Sequence, residues 1–195
     1  YARVLEQHSA YCRALESCGL RLTVLEKDLD HPDSTFVEDT AVLTKHVAVL
    51  TRPGADSRKG EVARIREPLF RFFRKHDEIT APGTLDGGDI CEAGNHFFIG
   101  ISHRTNEEGA RQLAGFLERE GCTASFVDIR DMTTILHLKS GFTHIGDNTL
   151  VVMEEMADDP RFQGYRIIRV AERESYAANC VRINDRVFLP SGFPG

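Results

Sequence analysis

Three carboxylates lie close together near the start of the chain. Asp33, Glu38 and Asp39 fall within one short segment that also contains Phe36 and Val37, and such apolar neighbours favour partial burial of the acids. A guanidinium group presents five N–H donors in a fixed planar fork, which suits paired carboxylates. The segment therefore predicts a clamp for a planar cation. The alternative is a solvated loop followed by one acid that stabilises a hairpin.

A second acidic motif, Leu85-Asp-Gly-Gly-Asp89, places two glycines between carboxylates. Glycines at the start of a strand indicate a bulge or the close approach of a ligand or another backbone segment, although a plain turn has the same composition. His137 begins the next comparable segment. A histidine supported by an acid such as Asp86 can act as a general acid and base. Taken alone, His137 is better explained as a structural histidine.

Arginines follow apolar strands at comparable places, as Arg52, Arg58 and Arg104. An arginine at the end of a strand can bind an α-carboxylate through two parallel hydrogen bonds. The alternative is a surface arginine paired with an acidic helix. Acids at the centre and arginines at the rim would suit an arginine-like substrate, but the sequence leaves both interpretations open.

An internal repeat positions these residues. Four segments each begin with a polar strand, turn through a short hairpin and return as an apolar strand, which usually leads into a helix. They begin at Phe36, Leu85, Leu136 and Ala178. We expect helices over 61–73 and 107–120, with Pro68 dividing or kinking the first, and short strands at 22–25, 125–128 and 166–170. If Glu38 and Asp39 lie in a strand, they point to opposite faces and have different roles.

Such ββαβ units cannot bury their sheets alone, so they should pack around a common axis. The polar strand starts would then face that axis. Residues 1–25 resemble the end of an earlier helix, with apolar positions that include Val4, Leu5, Tyr11 and Leu15, followed by its closing strand.

Composition excludes several classes of protein. The 195 residues are 41% hydrophobic and 28% charged, which is typical of one globular domain. The net charge of −6 without a basic tail argues against a nucleic-acid partner. No apolar run reaches the roughly 20 residues that span a bilayer. Five cysteines without a CxxC motif, zinc spacing or signal peptide predict reduced thiols in a cytoplasmic protein that holds no metal.

Five separated motifs resemble those of the dimethylarginine dimethylaminohydrolase family. This family belongs to the guanidino-group-modifying superfamily, together with arginine deiminases and amidinotransferases. The motifs occur in order: Pro32-Asp-Ser-Thr-Phe-Val-Glu-Asp, Thr51-Arg-Pro-Gly-Ala-Asp-Ser-Arg, Thr84-Leu-Asp-Gly-Gly-Asp, Ile101-Ser-His-Arg-Thr-Asn and Leu136-His-Leu-Lys-Ser. The resemblance runs from about Val4 to Leu189. It implies the pentein fold, a five-bladed α/β propeller, in agreement with four repeats and a remnant.

The resemblance also implies an activity and a set of roles. The activity is hydrolysis of Nω-methylated arginine to citrulline and dimethylamine through a covalent thiouronium on a cysteine, with no cofactor or metal. His137 would be the general acid/base and Asp86 its acidic support. The substrate-binding residues would be Asp33, Glu38 and Asp39 for the guanidinium and amino groups, and Arg58 and Arg104 for the carboxylate.

The chain departs from the family pattern at the nucleophile. The family cysteine lies near the C-terminus, in the last blade, and none of Cys12, Cys18, Cys91, Cys122 and Cys180 matches that place. We therefore expect it beyond Gly195. Residues 1–195 would form one incomplete pentein domain that is truncated at both ends, with its first and last blades partly missing.

Two other functions stay open at this stage. One is arginine deimination or amidino transfer on the same fold, because the Gly-Gly-Asp motif and the histidine are shared across the superfamily. The other is a non-catalytic protein that binds arginine-like ligands, if the nucleophile is truly absent. The expected partner is a small guanidino compound, without nucleic acid or membrane, and homodimer formation is left open.

Overall fold

The computed structural model describes residues 2–194 as three similar sheets, a separate hairpin and three α-helices. The helices are α1 (Ala2–Ser17), α2 (Glu61–Phe70) and α3 (Glu107–Arg119). The strands are β1 (Ala41–Leu43), β2 (Val47–Leu50), β3 (Lys75–Glu78), β4 (Ile90–Ala93), β5 (His96–Ile101), β6 (Thr123–Asp128), β7 (Phe142–Gly146), β8 (Thr149–Met153), β9 (Arg166–Val170), β10 (Val181–Ile183) and β11 (Arg186–Phe188).

The predicted repeat is confirmed by the pairing of the strands. In each three-stranded sheet an antiparallel hairpin is followed by a third strand that pairs in parallel with the second, in the orders β1-β2-β3, β4-β5-β6 and β7-β8-β9. The crossovers of the first two sheets are α2 and α3. In the third sheet two 3₁₀ turns, Glu154–Met156 and Pro160–Phe162, lie in the crossover. The hairpin β10-β11 begins the fourth unit.

Among the described residues, three of the four hairpins turn at glycine, asparagine or aspartate, and the first turns at residues 44–46. Asp147 and Asn148 both have positive φ, at 46° and 53°, as the central residues of a type I′ turn require. Gly94, at φ 68°, makes the equivalent turn between β4 and β5. These turns fix the register, and so they decide which residues begin each repeat.

The second strand of each hairpin lies in the core. Every residue of β2 and β8 is buried, as are the last five of β5. Two apolar clusters result, one centred on Phe98, Phe142 and Leu150 and the other on Leu113, Leu85 and Ile99. Strands that are covered on both faces read as continuous apolar runs, which explains why these segments were readily predicted.

The helix predictions hold within a few residues. Helix α3 begins after Asn106, whose side chain accepts a hydrogen bond from the Gly109 N–H and caps the helix. The same side chain accepts from the Thr84 N–H at 3.0 Å, which ties α3 to the segment that leads into the Gly-Gly motif. Helix α2 contains Pro68 and ends two residues later at Phe70, earlier than the predicted 61–73.

Two expectations are wrong. Residues 22–25 form no strand, although the helix expected before them is present as α1, none of whose described residues is buried. The polar strand starts are not strands but 3₁₀ turns, at Val37–Thr40, Gly87–Asp89 and Leu138–Ser140. Glu38 and Asp39 therefore do not alternate across a sheet. Within residues 2–194 no helix combines the length and apolarity needed to cross a membrane.

Candidate active site

The three 3₁₀ turns meet at one place, because each begins an equivalent repeat. The turns Val37–Thr40 and Leu138–Ser140 both contact Gly87–Asp89 between them. A Cβ atom added at Gly88 would lie 2.8 Å from Oδ1 of Asp39 and 2.9 Å from Cγ of His137. The predicted close approach at the glycine pair is thus confirmed. Only a residue without a side chain lets the acid and the histidine come this near.

Asp39 is the best-held acid of the clamp segment. Its carboxylate is buried and accepts a hydrogen bond from the Gly88 N–H at 2.7 Å and another from Nη1 of Arg58 at 2.5 Å. The Thr51 hydroxyl donates to its backbone carbonyl at 2.6 Å. Asp39 therefore joins the first repeat to the second and has a fixed orientation.

Arg58 lies inside the protein and not at the rim, where the sequence analysis placed it. Only 5% of the residue is exposed. Its guanidinium donates to Asp39, to Glu61, and to the backbone carbonyls of Asp33 and Phe36 at 3.1 Å each. Burial lowers the pKa of this guanidinium, but the hydrogen bonds that it donates to Glu61 and Asp39, together with their negative charges, outweigh burial and raise the pKa above its usual value. The predicted contact of Arg58 with a substrate carboxylate stays a prediction.

His137 has a closer acid than the predicted Asp86. Its Nδ1 atom lies 3.4 Å from Oδ1 of Asp89, within ion-pair range but without hydrogen-bond geometry. Burial lowers the pKa of His137, whereas the neighbouring carboxylates of Asp89, Asp39 and Asp86 raise it, and the net result is a raised pKa. The neighbouring carboxylates therefore favour the imidazolium form more than the surroundings of an ordinary histidine do.

Asp89 is held more firmly than any other acid of the site. It is fully buried, and Oδ2 accepts from the hydroxyls of Ser102 at 2.7 Å and Thr105 at 2.6 Å. Oδ1 accepts from the Leu138 N–H at 3.1 Å, the residue after His137. No role was predicted for Asp89 from the sequence, although its position at the start of a repeat is equivalent to that of other predicted site residues and could have indicated one.

Asp86 is also fully buried, and one of its oxygens is uncommitted. Oδ1 accepts from the Gly54 N–H at 2.8 Å, while Oδ2 has no hydrogen-bond partner within residues 2–194 and lies 3.8 Å from Nη1 of Arg104. Burial raises the pKa of Asp86 and is the largest effect. The hydrogen bond from the Gly54 N–H lowers this pKa, Asp39 raises it, and His137 and Arg104 lower it by smaller amounts, so that the net result is a raised pKa.

One acceptor or donor atom from each of Asp39, Asp86 and His137 lies within 4.8 Å of the other two. The structure thus brings together two buried carboxylates and the predicted general acid/base. A compact acidic centre of this kind attracts a cation and can hand a proton to a leaving group.

The other predicted site residues surround this centre. Glu38 is exposed and forms an ion pair with Nζ of Lys139, across the gap between the first and third repeats. Asp33 is exposed and contributes its carbonyl to Arg58. Arg104 is half-buried beside Asp86. The clamp segment therefore has one buried acid, Asp39, and two acids that are open to solvent.

The buried thiols of the described chain are not activated. All five cysteines are free. Burial raises the pKa of Cys91 to about 11 and also raises the pKa of Cys180. Because the thiolate is the nucleophilic form, neither is suited to attack a substrate at neutral pH.

The repeated sheets and the acidic centre define the class of guanidino-group-modifying proteins with the pentein fold. A family described as arginine deiminase matches residues 30–186. The fold alone is shared with the N-terminal domain of ArgZ, an arginine dihydrolase from cyanobacteria, at a TM-score of 0.83 and 18% identity over 95% of this chain and 71% of that one.

Two curated relatives narrow the class. The N(G),N(G)-dimethylarginine dimethylaminohydrolase of Pseudomonas aeruginosa is 47% identical over 195 residues, which are 100% of this chain and 76% of that protein. The enzyme of the same name from Streptomyces coelicolor is 38% identical over 156 residues, or 80% of this chain and 59% of that one. A structure of the Pseudomonas enzyme, a cysteine-to-serine mutant complexed with citrulline, matches with a TM-score of 0.95 over 100% of this chain and 75% of that chain. The chain belongs to the dimethylarginine dimethylaminohydrolase family.

Proposed function

We propose that this protein hydrolyses Nω-methylated arginine to citrulline and dimethylamine. The observation that carries the proposal is the buried centre in which atoms of Asp39, Asp86 and His137 lie within 4.8 Å of one another. Its supporting context is the 47% identity to a dimethylarginine dimethylaminohydrolase over the whole chain. The substrate class is thus a small cationic guanidino compound.

Binding is assigned to the acids. A guanidinium carbon is a poor electrophile because resonance spreads its positive charge, so the substrate must be held and aligned for attack. Asp39 and Glu38 accept the N–H groups of the guanidinium, with Asp33 at the amino end of the substrate. The half-buried Arg104 is placed to bind the α-carboxylate.

Proton transfer is assigned to His137. A thiolate attacks the guanidinium carbon and forms a tetrahedral intermediate. His137 gives its proton to the departing nitrogen as the C–N bond breaks, which releases dimethylamine and leaves a thiouronium. The imidazole then takes a proton from a water that attacks the same carbon. Cleavage of the C–S bond, with loss of the remaining hydroxyl proton to solvent, yields citrulline and the free thiolate. The raised pKa of His137 favours the protonated form that the first step needs.

The nucleophile is assigned to a cysteine outside these 195 residues. Burial disfavours the thiolates of Cys91 and Cys180, and the matched Pseudomonas enzyme is longer, since this chain covers 76% of it. We infer that residues 1–195 belong to one propeller domain, with the β10-β11 hairpin in its fourth unit. The five free cysteines support a reducing, cytoplasmic location.

Citrulline release tests the activity. The full-length protein is incubated with asymmetric dimethylarginine and, separately, with arginine, and citrulline is quantified. The proposal expects faster release from dimethylarginine and loss of release in His137→Ala. Equal or faster turnover of arginine would identify a deiminase instead. Binding of both compounds without release would identify a binding protein.

A further inference from the structure

Arg58 is shared between two buried carboxylates, and only one of them belongs to the candidate site. Its Nη1 donates to Asp39 at 2.5 Å. On the other side Nε lies 3.0 Å from Oε1 of Glu61 and Nη2 lies 2.6 Å from Oε2, a bidentate arrangement. Side chains of all three residues are at most 8% exposed. Solvent therefore screens this triad little.

The triad carries a net charge of −1 because Glu61 compensates Arg58. With two carboxylates and one guanidinium, one negative charge is left over next to the histidine and Asp86. Without the charge of Glu61, the charge of Arg58 would neutralise that of Asp39. The triad would then have no net negative charge to attract a cationic substrate. Charge balance at buried groups has large effects on affinity, because the local dielectric is low.

Glu61 is placed to hold this charge without a role in binding. It is the first residue of α2, where the positive end of the helix dipole favours a carboxylate. Its two oxygens are both engaged by Arg58. Arg58 in turn binds the carbonyls of Asp33 and Phe36, so that the clamp segment is fastened to α2 through this one pair.

We propose that Glu61 is a positioning residue that keeps the charge of Asp39 available to the substrate, and thereby sets the preference of the site for a guanidinium cation over the neutral ureido group of the product. The proposal rests on the function proposed above. It predicts a selective effect, because citrulline and dimethylarginine share the same amino-acid end and differ in the charge of the group that reaches Asp39.

The experiment compares the affinities for asymmetric dimethylarginine and citrulline by calorimetry, in a His137→Ala background so that neither compound is turned over. Glu61→Gln keeps the size of the side chain and removes its charge. We expect dimethylarginine to bind on the order of tenfold more weakly and citrulline to change less than about twofold. The matched control is Glu67→Gln on the same helix, whose exposed carboxylate pairs with Arg71. It should change neither affinity.

A second variant separates charge from folding. Glu61→Asp keeps the negative charge at the first position of α2 and leaves the pair of Arg58 with Asp39 intact. We expect Glu61→Asp to keep most of the cation preference that Glu61→Gln loses, because the charge that offsets Arg58 is still present. A folded Glu61→Asp protein without that preference would contradict the role of Glu61 even if Glu61→Gln fails to fold.

The outcomes are distinct. An equal loss for both ligands in Glu61→Gln, or a Glu61→Asp protein that folds but binds dimethylarginine no better than citrulline, overturns the role of Glu61. If the parent protein binds neither compound, the proposed function itself fails, and the role of Glu61 fails with it. A loss confined to dimethylarginine in Glu61→Gln, with the preference kept in Glu61→Asp, supports the proposal.

Discussion

The Nδ1 atom of His137 lies 3.4 Å from Oδ1 of Asp89, a carboxylate that Ser102, Thr105 and the Leu138 N–H hold in place. The contact joins the second repeat to the third. It explains how a half-buried histidine keeps a raised pKa although burial alone would lower it. Asp89 thus contributes most of the effect that offsets burial and raises the pKa of the group to which we assign proton transfer.

Asp89→Asn should lower the pKa of His137. The variant keeps the shape of the side chain but removes the charge that offsets burial. In the parent, protonated His137 stabilises the fold below its unfolded pKa of about 6.5, and this contribution is lost as pH rises through the raised folded pKa. The Asp89→Asn variant should lack this contribution of protonated His137 to the free energy of unfolding. An NMR titration of the His137 ring measures the shift, with Asp77→Asn, in an exposed pair with Arg119, as control. An unchanged pKa would refute the role of Asp89.

Asp39→Asn and Glu38→Gln should differ in stability more than in binding. Each loses a charged hydrogen bond to the ligand, worth about 1.5–3 kcal/mol. Asp39→Asn should also destabilise the protein, by roughly 3 kcal/mol or more, because it breaks a buried ion pair with Arg58. Glu38 is exposed, so its replacement should cost less than about 0.5 kcal/mol of folding free energy. Calorimetry with dimethylarginine in the His137→Ala background and denaturant unfolding measure the two effects. Unchanged affinity in both variants would contradict the proposal that Asp39 and Glu38 bind the guanidinium.

Gly88→Ala should close the centre by a steric effect alone. The added Cβ would lie 2.8 Å from Oδ1 of Asp39 and 2.9 Å from Cγ of His137, both closer than ordinary contacts. We expect loss of ligand binding and a lower melting temperature. Gly115→Ala in α3 is the control, since nothing lies within 4 Å of its added Cβ. It should stabilise the protein by about 0.5–1 kcal/mol. A Gly88→Ala protein that binds normally would show that the ligand sits elsewhere.

Much of the fold follows from local sequence. The hairpins were predictable because Asp147 and Asn148 suit positive φ, and the central strands because their apolar runs are buried on both faces. Strand β3 was missed because Lys75–Glu78 is entirely polar. It is a strand because β2 offers an edge for parallel pairing. The outer strands β6 and β9 pair in the same way but contain apolar residues, and they were predicted.

The sequence predicted that three residues of the centre lie close together, but it did not predict their contacts. Asp39, Asp86 and His137 were expected together because they begin equivalent repeats, and they do converge. The partner of His137 and the burial of Arg58 were missed. Both depend on side chains from segments far apart in the chain, such as the bond from the Leu138 N–H to Asp89. Spacing within a motif carries no information about which oxygen faces which nitrogen after folding.

Lys139→Met should increase affinity for a cationic ligand. The Lys139 ammonium pairs with the Glu38 carboxylate, and a guanidinium that binds Glu38 must displace it or share the acid with it. Without Lys139, that competition is gone, and dimethylarginine should bind several-fold more tightly, consistent with the roughly 0.2–1 kcal/mol of an exposed ion pair. Calorimetry in the His137→Ala background measures the gain.

A double-mutant cycle shows whether Lys139 acts through Glu38. In a Glu38→Gln protein, Lys139→Met should have almost no effect on affinity, because the competed carboxylate is gone. Lys59→Met, which breaks an exposed pair with Asp56, controls for the change in net charge and should leave affinity unchanged. If Lys139→Met weakens binding, or strengthens it equally with and without Glu38, Lys139 does not compete for that carboxylate. Its charge would then act on the ligand directly.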